Sequence, residues 1–177
     1  MKIATLLLMV VLISGFVAAQ KQIQIKNQRF EMNAIRNGQP VHLETKNFSL
    51  SINYGTGEFF ARINITESRL YADEEMEYRI PGDENLEITG IIPINEIIDN
   101  QALKQQYVFE LNVTHISTNV NVVFTFDATH IKNSNRGFTV FRVSGTVNLL
   151  DFGVKDLKGY EPEVEFLMDF QTYILGG

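Results

Sequence analysis

Apolar residues occupy every second position along most of the chain from residue 48 to the C-terminus. In the first of these runs, Phe48, Leu50 and Ile52 alternate with polar residues. The runs at 119–127 and 163–171 repeat the pattern, each interrupted by one additional apolar residue. Because successive side chains of a strand point to opposite faces, each run predicts a strand with one dry face and one wet face. The repetition predicts an antiparallel sheet around a single interior.

Turn residues separate these alternating runs. Asn37-Gly38 signals a hairpin, and Pro81 with the following Gly-Asp signals a turn. The predicted strands cover residues 23–30, 40–45, 48–54, 58–66, 77–80, 86–94, 106–115, 119–127, 138–149 and 162–174. One short helix is predicted within residues 94–103. The acidic stretch 68–77 is interpreted as an exposed loop or turn.

Strands of this kind either close into a barrel or stack into a sandwich, and roughly eight to ten are needed for either. The two final runs, at 138–149 and 162–174, are longer than typical sandwich strands. They favour an all-β fold, an antiparallel barrel of about eight strands with at most one short helix. The thirteen Phe residues can fill the interior or line a cavity, and alternation does not distinguish these two arrangements.

The N-terminal residues have the features of a secretory signal peptide. Lys2 precedes a continuous apolar run at residues 6–13, and Val17-Ala18-Ala19 is a small-residue cleavage signal. We expect residues 1–19 to be removed, which leaves Gln20 as the first residue of a single domain at 20–177. No second long apolar run follows, so we expect no transmembrane span in the mature chain.

Composition narrows the functional classes further. The chain has no Cys, which excludes disulfides and Cys-ligated metals. Export without disulfides favours a bacterial envelope, so we expect a secreted protein of the bacterial periplasm. The net charge is −6 and the basic residues are scattered, which argues against nucleic acid as a partner. The sequence gives no indication of the oligomeric state.

Candidate chemistry is sparse. The only histidines are His42, His115 and His130, and no pair has the spacing of a metal site. No nucleophile elbow or phosphate-binding loop is present, so we expect no enzymatic activity, no metal and no cofactor. His115 ends an apolar strand, where a neutral imidazole could hydrogen-bond a polar head group at a barrel mouth.

Three segments together resemble the YceI-like family. They are ELNVTHISTNV at 110–120, VNLLDFGV at 147–154, and GTGE at 55–58 with the strand after it. In this resemblance His115 matches the histidine of the family. The resemblance implies an elongated lipocalin-like barrel that holds a long isoprenoid chain in an apolar lumen. The chain departs from the family pattern after the histidine, where Ile116, Thr118 and Asn119 stand in place of the family's glycine and lysine. It also departs at residues 68–83, where acids fill the place of the family's acid- and histidine-rich segment.

The leading hypothesis is an exported, non-enzymatic carrier whose partner is a long-chain isoprenoid or another lipid. Alternation assigns the lumen candidates, and His115 is added at the mouth. The candidates are Phe48, Leu50, Ile52, Phe59, Ile63, Leu111, His115, Val122, Phe124, Phe126, Phe138, Phe166, Met168 and Phe170. Two alternatives stay open. One is a β-sandwich or filled-barrel interaction module of the cell envelope, and the other is an outer-membrane barrel with an apolar outside.

Overall fold

The computed structural model describes residues 22–45, 48–64, 69–72, 76–78, 85–100, 103–115, 117–132, 137–153, 155 and 157–175. The strands are β1 (Gln22–Arg36), β2 (Gln39–Thr45), β3 (Phe48–Ile52), β4 (Glu58–Asn64), β5 (Arg69–Ala72), β6 (Met76–Tyr78), β7 (Asn85–Ile91), β8 (Lys104–His115), β9 (Thr118–Ile131), β10 (Phe138–Asn148) and β11 (Glu163–Leu175). Helix α1 (Ile94–Asp99) follows β7, and a 3₁₀ turn (Leu149–Phe152) follows β10. The predicted signal segment, 1–19, lies outside the described residues.

Every ladder among the described strands is antiparallel, and the spatial order is β3-β4-β7-β8-β9-β10-β11-β1-β2-β5-β6. The nine strands from β3 to β2 form a nearly closed barrel. The Gln28 side chain on β1 donates to the Phe48 carbonyl of β3 at 2.6 Å, which links strands from the two sides of the opening. The predicted antiparallel lipocalin-like barrel with one short helix is therefore confirmed.

A bulge in β1 exchanges the faces of its two halves. Asn27 has a φ of 52° and lies at a register shift in the ladder with β11. One extra residue on a strand reverses which positions point inward. As a result, Ile23 and Ile25 before the bulge contact the same core as Phe30 and Met32 after it.

The hairpin between β1 and β2 forms where the sequence predicts it. Asn37 and Gly38 both have positive φ, at 51° and 75°. Two consecutive residues of positive φ give a turn whose twist matches that of the flanking strands. Gly38 adopts this conformation without the steric penalty that a Cβ would impose.

Several element boundaries differ from the predictions. β9 continues to Ile131, beyond the predicted end at 127, because the alternation extends through Ala128 and His130. The helix is shorter than 94–103 and ends at Asp99. Residues 69–72, predicted as loop or turn, form strand β5 instead, which pairs with β2 on one side and with β6 on the other.

Helix α1 covers one end of the barrel. Its buried residues are Ile94 and Ile97, three positions apart on one helix face. We call this end the helix end. At the opposite end, the 3₁₀ turn buries Phe152 and is capped by the Asn148 side chain, which accepts from the Leu150 amide at 3.0 Å. We call this the turn end.

The outer face of the barrel carries charged side chains. Asp169 on β11 accepts hydrogen bonds from Arg29 at 3.0 Å and from Arg142 at 2.9 Å. Arg62 and Glu87 form a second pair across β4 and β7 at 2.6 Å. Within the described ranges, none of the helices is both long enough and apolar enough to cross a bilayer.

Candidate functional site

Most of the predicted lumen residues lie inside the barrel. The buried ones are Phe48, Ile52, Phe59, Ile63, Leu111, Val122, Phe124, Phe126, Phe166, Met168 and Phe170. Leu50 is partly buried and contacts the same core. The extra apolar residue of one run, Val123, is 59% exposed, so it lies on the outer face as the alternation requires. The inward position of these side chains does not test whether a ligand contacts them, and that role stays a prediction.

Phe138 is a correction to the predicted orientation. On β10 the buried residues are Thr139 and Phe141, so Phe138 falls on the other face. Its ring stacks on that of Tyr173, with centroids 5.2 Å apart, and its ladder partner Ile131 is 39% exposed. The alternation on β10 was assigned one residue out of phase, because Phe138 and Val140 are apolar although both point outward.

His115 lies at the turn end of β8, opposite Leu86 in the ladder with β7. Its half-buried imidazole meets the ring of Phe152 edge-on, with centroids 6.3 Å apart. The aromatic contact places the histidine under the 3₁₀ turn, at the position of a barrel mouth. Whether His115 contacts a ligand stays a prediction.

The interior between the two ends is filled by side chains. Phe59 on β4 and Phe126 on β9 meet edge-on with centroids 5.9 Å apart, although β7 and β8 separate their strands in the sheet. Phe126 and Phe141 have no accessible surface at all, at 0%. A cavity of water size beside either ring would leave it some accessible surface. The middle of the barrel is therefore packed at the level of these rings.

Strand pairing between β7 and β8 stops before the helix end. The described ladder between these strands pairs only Leu86–Thr89 of β7 with the turn-end part of β8. Past the end of this ladder, Tyr107 and Phe109 still occupy inward-facing positions of β8, but their side chains are only half-buried. Their rings stack with centroids 6.2 Å apart, and Phe109 also contacts Phe126. An apolar chain could reach the interior past these two rings.

A cavity of about 400 Å³ lies at the helix end. His130, Thr139 and Thr172 line it and occupy neighbouring strands in one row, because Thr139 pairs with both other residues in the ladders. All three are buried, and the Thr139 hydroxyl lies 2.9 Å from the His130 Nδ1. Ile98 of α1 and Ile174 of β11 contribute apolar lining.

Burial is the largest influence on the His130 imidazole, and it lowers the pKa of this residue below the usual 6.5. Lys132 lowers the pKa further, while the nearby Ile97 backbone partly offsets the effect of burial. That backbone group does not reach hydrogen-bonding geometry, since Nε2 has no hydrogen-bond partner among the described residues. His130 is therefore neutral at neutral pH.

The sequence reasoning missed this row. His130 was compared only with metal-site spacings, and the predicted strand stopped at residue 127, three positions before it. The sequence did contain a signal for it. His130 lies an even number of positions after Phe124 and Phe126, and therefore on the same inward face of the strand. Thr172 likewise lies two positions after Phe170, on the same inward face of β11. A polar residue in the inward phase of an apolar strand indicates a buried polar site.

A second cavity, of about 580 Å³, lies where β9 and β10 separate beyond Gly145. Its lining includes Asp151, Glu163 and Glu165, so it is more polar than the interior. Within the part of the chain that the structure describes, no group of three His, Asp or Glu side chains is arranged to hold a metal ion.

The fold and the apolar interior define a lipocalin-like antiparallel barrel as the structural class. The chain is similar in structure to a polyisoprenoid binding domain from Saccharophagus degradans that is implicated in plant cell wall breakdown. The TM-score is 0.61 at 7% sequence identity, and the match covers 88% of this chain and 99% of that domain. At this identity the likeness shows the fold. No protein-family model matches the chain, and no curated protein matches it.

Proposed function

We propose that this chain is an exported, non-enzymatic binding protein that holds a long apolar ligand, an isoprenoid or another lipid, inside the barrel. The observation that carries the proposal is the aromatic and aliphatic inner face of the barrel, which reaches the half-buried rings of Tyr107 and Phe109 where the described β7–β8 ladder has ended. The fold it shares with a polyisoprenoid binding domain, and the YceI-like sequence segments, support the same ligand class.

The energetics favour such a ligand. Each methylene removed from water contributes about 0.8 kcal/mol, so a chain of about ten carbons gains several kcal/mol without polar contacts. The packed rings near Phe59 and Phe126 must move aside or be bypassed, which reduces that gain. The half-buried pair Tyr107 and Phe109 is less enclosed than Phe59 and Phe126, so it moves aside more easily.

Uptake of farnesol and of a long-chain polyprenol tests the proposal. We expect native mass spectrometry of the purified chain to show one bound polyprenol per barrel. Phe109→Glu introduces a carboxylate on the inner face of β8 and should abolish uptake, because an apolar chain cannot hydrate that group. Val108→Glu is the matched control, since Val108 is 61% exposed on the outer face. Absence of uptake by the folded wild-type protein would contradict the proposal.

Export is a separate part of the proposal and has its own test. The motivation is the predicted cleavage signal ending at Ala19. Expression of the full chain in a Gram-negative host should yield a mature product that begins at Gln20 in the periplasmic fraction. N-terminal sequencing of the fractionated protein measures this. A product that retains Met1 and stays in the cytoplasm contradicts export and leaves ligand binding unaffected.

The packed interior favours one second function, an interaction module of the cell envelope without a small-molecule ligand. The cross-barrel contact of Phe59 and Phe126 is the observation behind it. On this alternative, the barrel is a filled scaffold and its outer face binds another protein. Val108→Glu would then weaken the partner's binding, whereas Phe109→Glu would act only through stability. The pair of variants therefore separates the two functions.

A further inference from the structure

The helix-end cavity contains polar atoms without partners. Among the described residues, the His130 Nε2 and the Thr172 Oγ1 are buried and have no hydrogen-bond partner. His130 is 7% exposed and Thr172 is 2% exposed, and both residues line the same cavity. The two orphaned atoms themselves are covered, so an occupant of the cavity reaches them only when a side chain of the lining moves aside. Buried polar groups in folded proteins are almost always hydrogen-bonded, so two orphans beside one cavity indicate an occupant that satisfies both.

The chemistry of the two groups defines what that occupant must offer. A neutral imidazole has one N–H and one free lone pair, and the Thr139 hydroxyl already engages Nδ1 at 2.9 Å. If Thr139 donates to Nδ1, then Nε2 carries the proton and donates. If Nδ1 donates to Thr139, then Nε2 accepts. In either case a hydroxyl that both donates and accepts satisfies His130 and Thr172 together.

The remaining lining indicates what is attached to that hydroxyl. Ile98 and Ile174 line the same cavity, and the partly exposed Ile131 and Phe138 place it at the surface. The cavity of about 400 Å³ greatly exceeds the volume of one water molecule, which is about 30 Å³. The next row of the interior holds the stacked rings of Phe141 and Phe170. The polar row therefore borders apolar surface on both sides.

We propose that His130 and Thr172 bind the terminal hydroxyl of a long-chain alcohol, whose first carbons lie against Ile98 and Ile174. This inference rests on the proposed function, because it names the polar end of the apolar ligand. Thr139 is a positioning residue in this arrangement. It holds the imidazole through Nδ1 and does not contact the alcohol.

Two isomeric probes and one isosteric variant test the proposal. Octan-1-ol and heptyl methyl ether have the same atoms, but only the alcohol can donate. Calorimetric titration of the intact chain should show about tenfold tighter binding of the alcohol, since a hydrogen bond is worth about 1 kcal/mol and an orphaned donor or acceptor costs more. Thr172→Val should remove most of this preference and leave the affinity for the ether unchanged.

The stability of the unliganded variant provides an independent readout. Thr172→Val replaces an orphaned buried hydroxyl with a methyl group of the same shape, so it should raise Tm while it weakens alcohol binding. A hydroxyl with a purely structural role would lower Tm instead. Thr129→Val, on the outer face of β9 beside His130, is the matched control and should change neither alcohol binding nor the alcohol preference.

The outcomes separate the two proposals. Equal binding of alcohol and ether overturns the hydroxyl site and leaves lipid binding intact. A crystal structure of the octanol complex in which water still bridges His130 and Thr172 also overturns the site. If neither probe binds the folded protein, the hydroxyl site and the apolar-ligand function both fail. A preference for the alcohol that Thr172→Val abolishes, together with a raised Tm, supports the site.

Discussion

The ring of Phe59 on β4 meets the ring of Phe126 on β9 edge-on across the interior, with centroids 5.9 Å apart. The ring of Phe109 also contacts that of Phe126 edge-on, with centroids 5.3 Å apart. These contacts connect the two sides of the barrel through side chains instead of backbone. The same rings give the interior its stability and occupy the volume that an apolar ligand requires.

Phe126→Ala tests how much this contact stabilises the barrel. We expect the free energy of unfolding to fall by about 3–5 kcal/mol, because a fully buried ring is lost and a cavity remains. Urea denaturation measures the change. Phe138→Ala removes a ring of the same size from the outer face and should cost clearly less. Equal losses from the two variants would contradict the packed interior.

Gly145→Ala tests the close approach of β9 and β10 at the end of their ladder. A Cβ at Gly145 would lie 2.5 Å from Cδ1 of the Phe124 ring, which is itself buried on all sides. We expect a loss of about 1–3 kcal/mol in thermal or urea unfolding, typical of overpacking. Gly137→Ala is the control, since its Cβ meets only the Ile131 carbonyl at 3.6 Å and should be nearly neutral.

Asp169 should make the barrel sensitive to strong acid. Burial is the largest single influence and raises the pKa of Asp169, but hydrogen bonds and charges from Arg142 and Arg29 together lower it below 3.8. A carboxyl whose pKa is lower in the folded state stabilises the protein above the unfolded pKa, and that contribution is lost as pH falls through the folded pKa. We expect the loss below about pH 4.

Asp169→Asn separates this contribution from that of the other carboxyls. The variant should lose less than about 1 kcal/mol at neutral pH, because the arginine partners are largely exposed. Its unfolding free energy should depend less on pH below 4 than that of the wild type. If the unfolding free energies of the two proteins, measured with urea, fell equally as the pH decreases below 4, Asp169 would not be the source of the acid sensitivity.

His130 should make the barrel less stable in mild acid. Its pKa is lowered by burial, so below the unfolded value of about 6.5 the unfolded state binds a proton that the folded state does not. The free energy of unfolding therefore falls as pH decreases from about 6.5 toward the folded pKa. Imidazole NMR titration should place the His130 pKa below 6.5, and His130→Gln should flatten the slope of stability in this range.

The alternation predicted most of the fold, because one buried face and one exposed face leave a period of two in the sequence. It placed Phe124, Phe126 and Phe170 inside, and it predicted the hairpin at Asn37-Gly38. The alternation did not predict the strand at 69–72, since backbone pairing with neighbouring strands needs no apolar pattern.

The candidate site was predicted less completely than the fold. A period of two does not report how far opposite walls lie from each other, so it did not distinguish a hollow interior from the packed rings around Phe126. The alternation also assigned Phe138 to the wrong face, because Val140, two residues further along, is apolar as well although it lies on the outer face. His130 and Thr172 were passed over because the search considered metal and catalytic patterns instead of polar residues in the inward phase.

The extra residue at Asn27 lets one continuous strand serve two different neighbours. β1 pairs with β11 on both sides of it. Directly after it, the Gln28 side chain donates to the Phe48 carbonyl of β3, and from Phe30 the strand also pairs with β2 and leads into the hairpin. If β1 ran through Asn27 in regular alternation, Ile23 and Ile25 would turn toward solvent and Lys26 toward the core. The closure of the barrel wall here therefore depends on a one-residue offset, and deleting Asn27 should straighten β1 while Ile23 and Ile25 stay on the inner face.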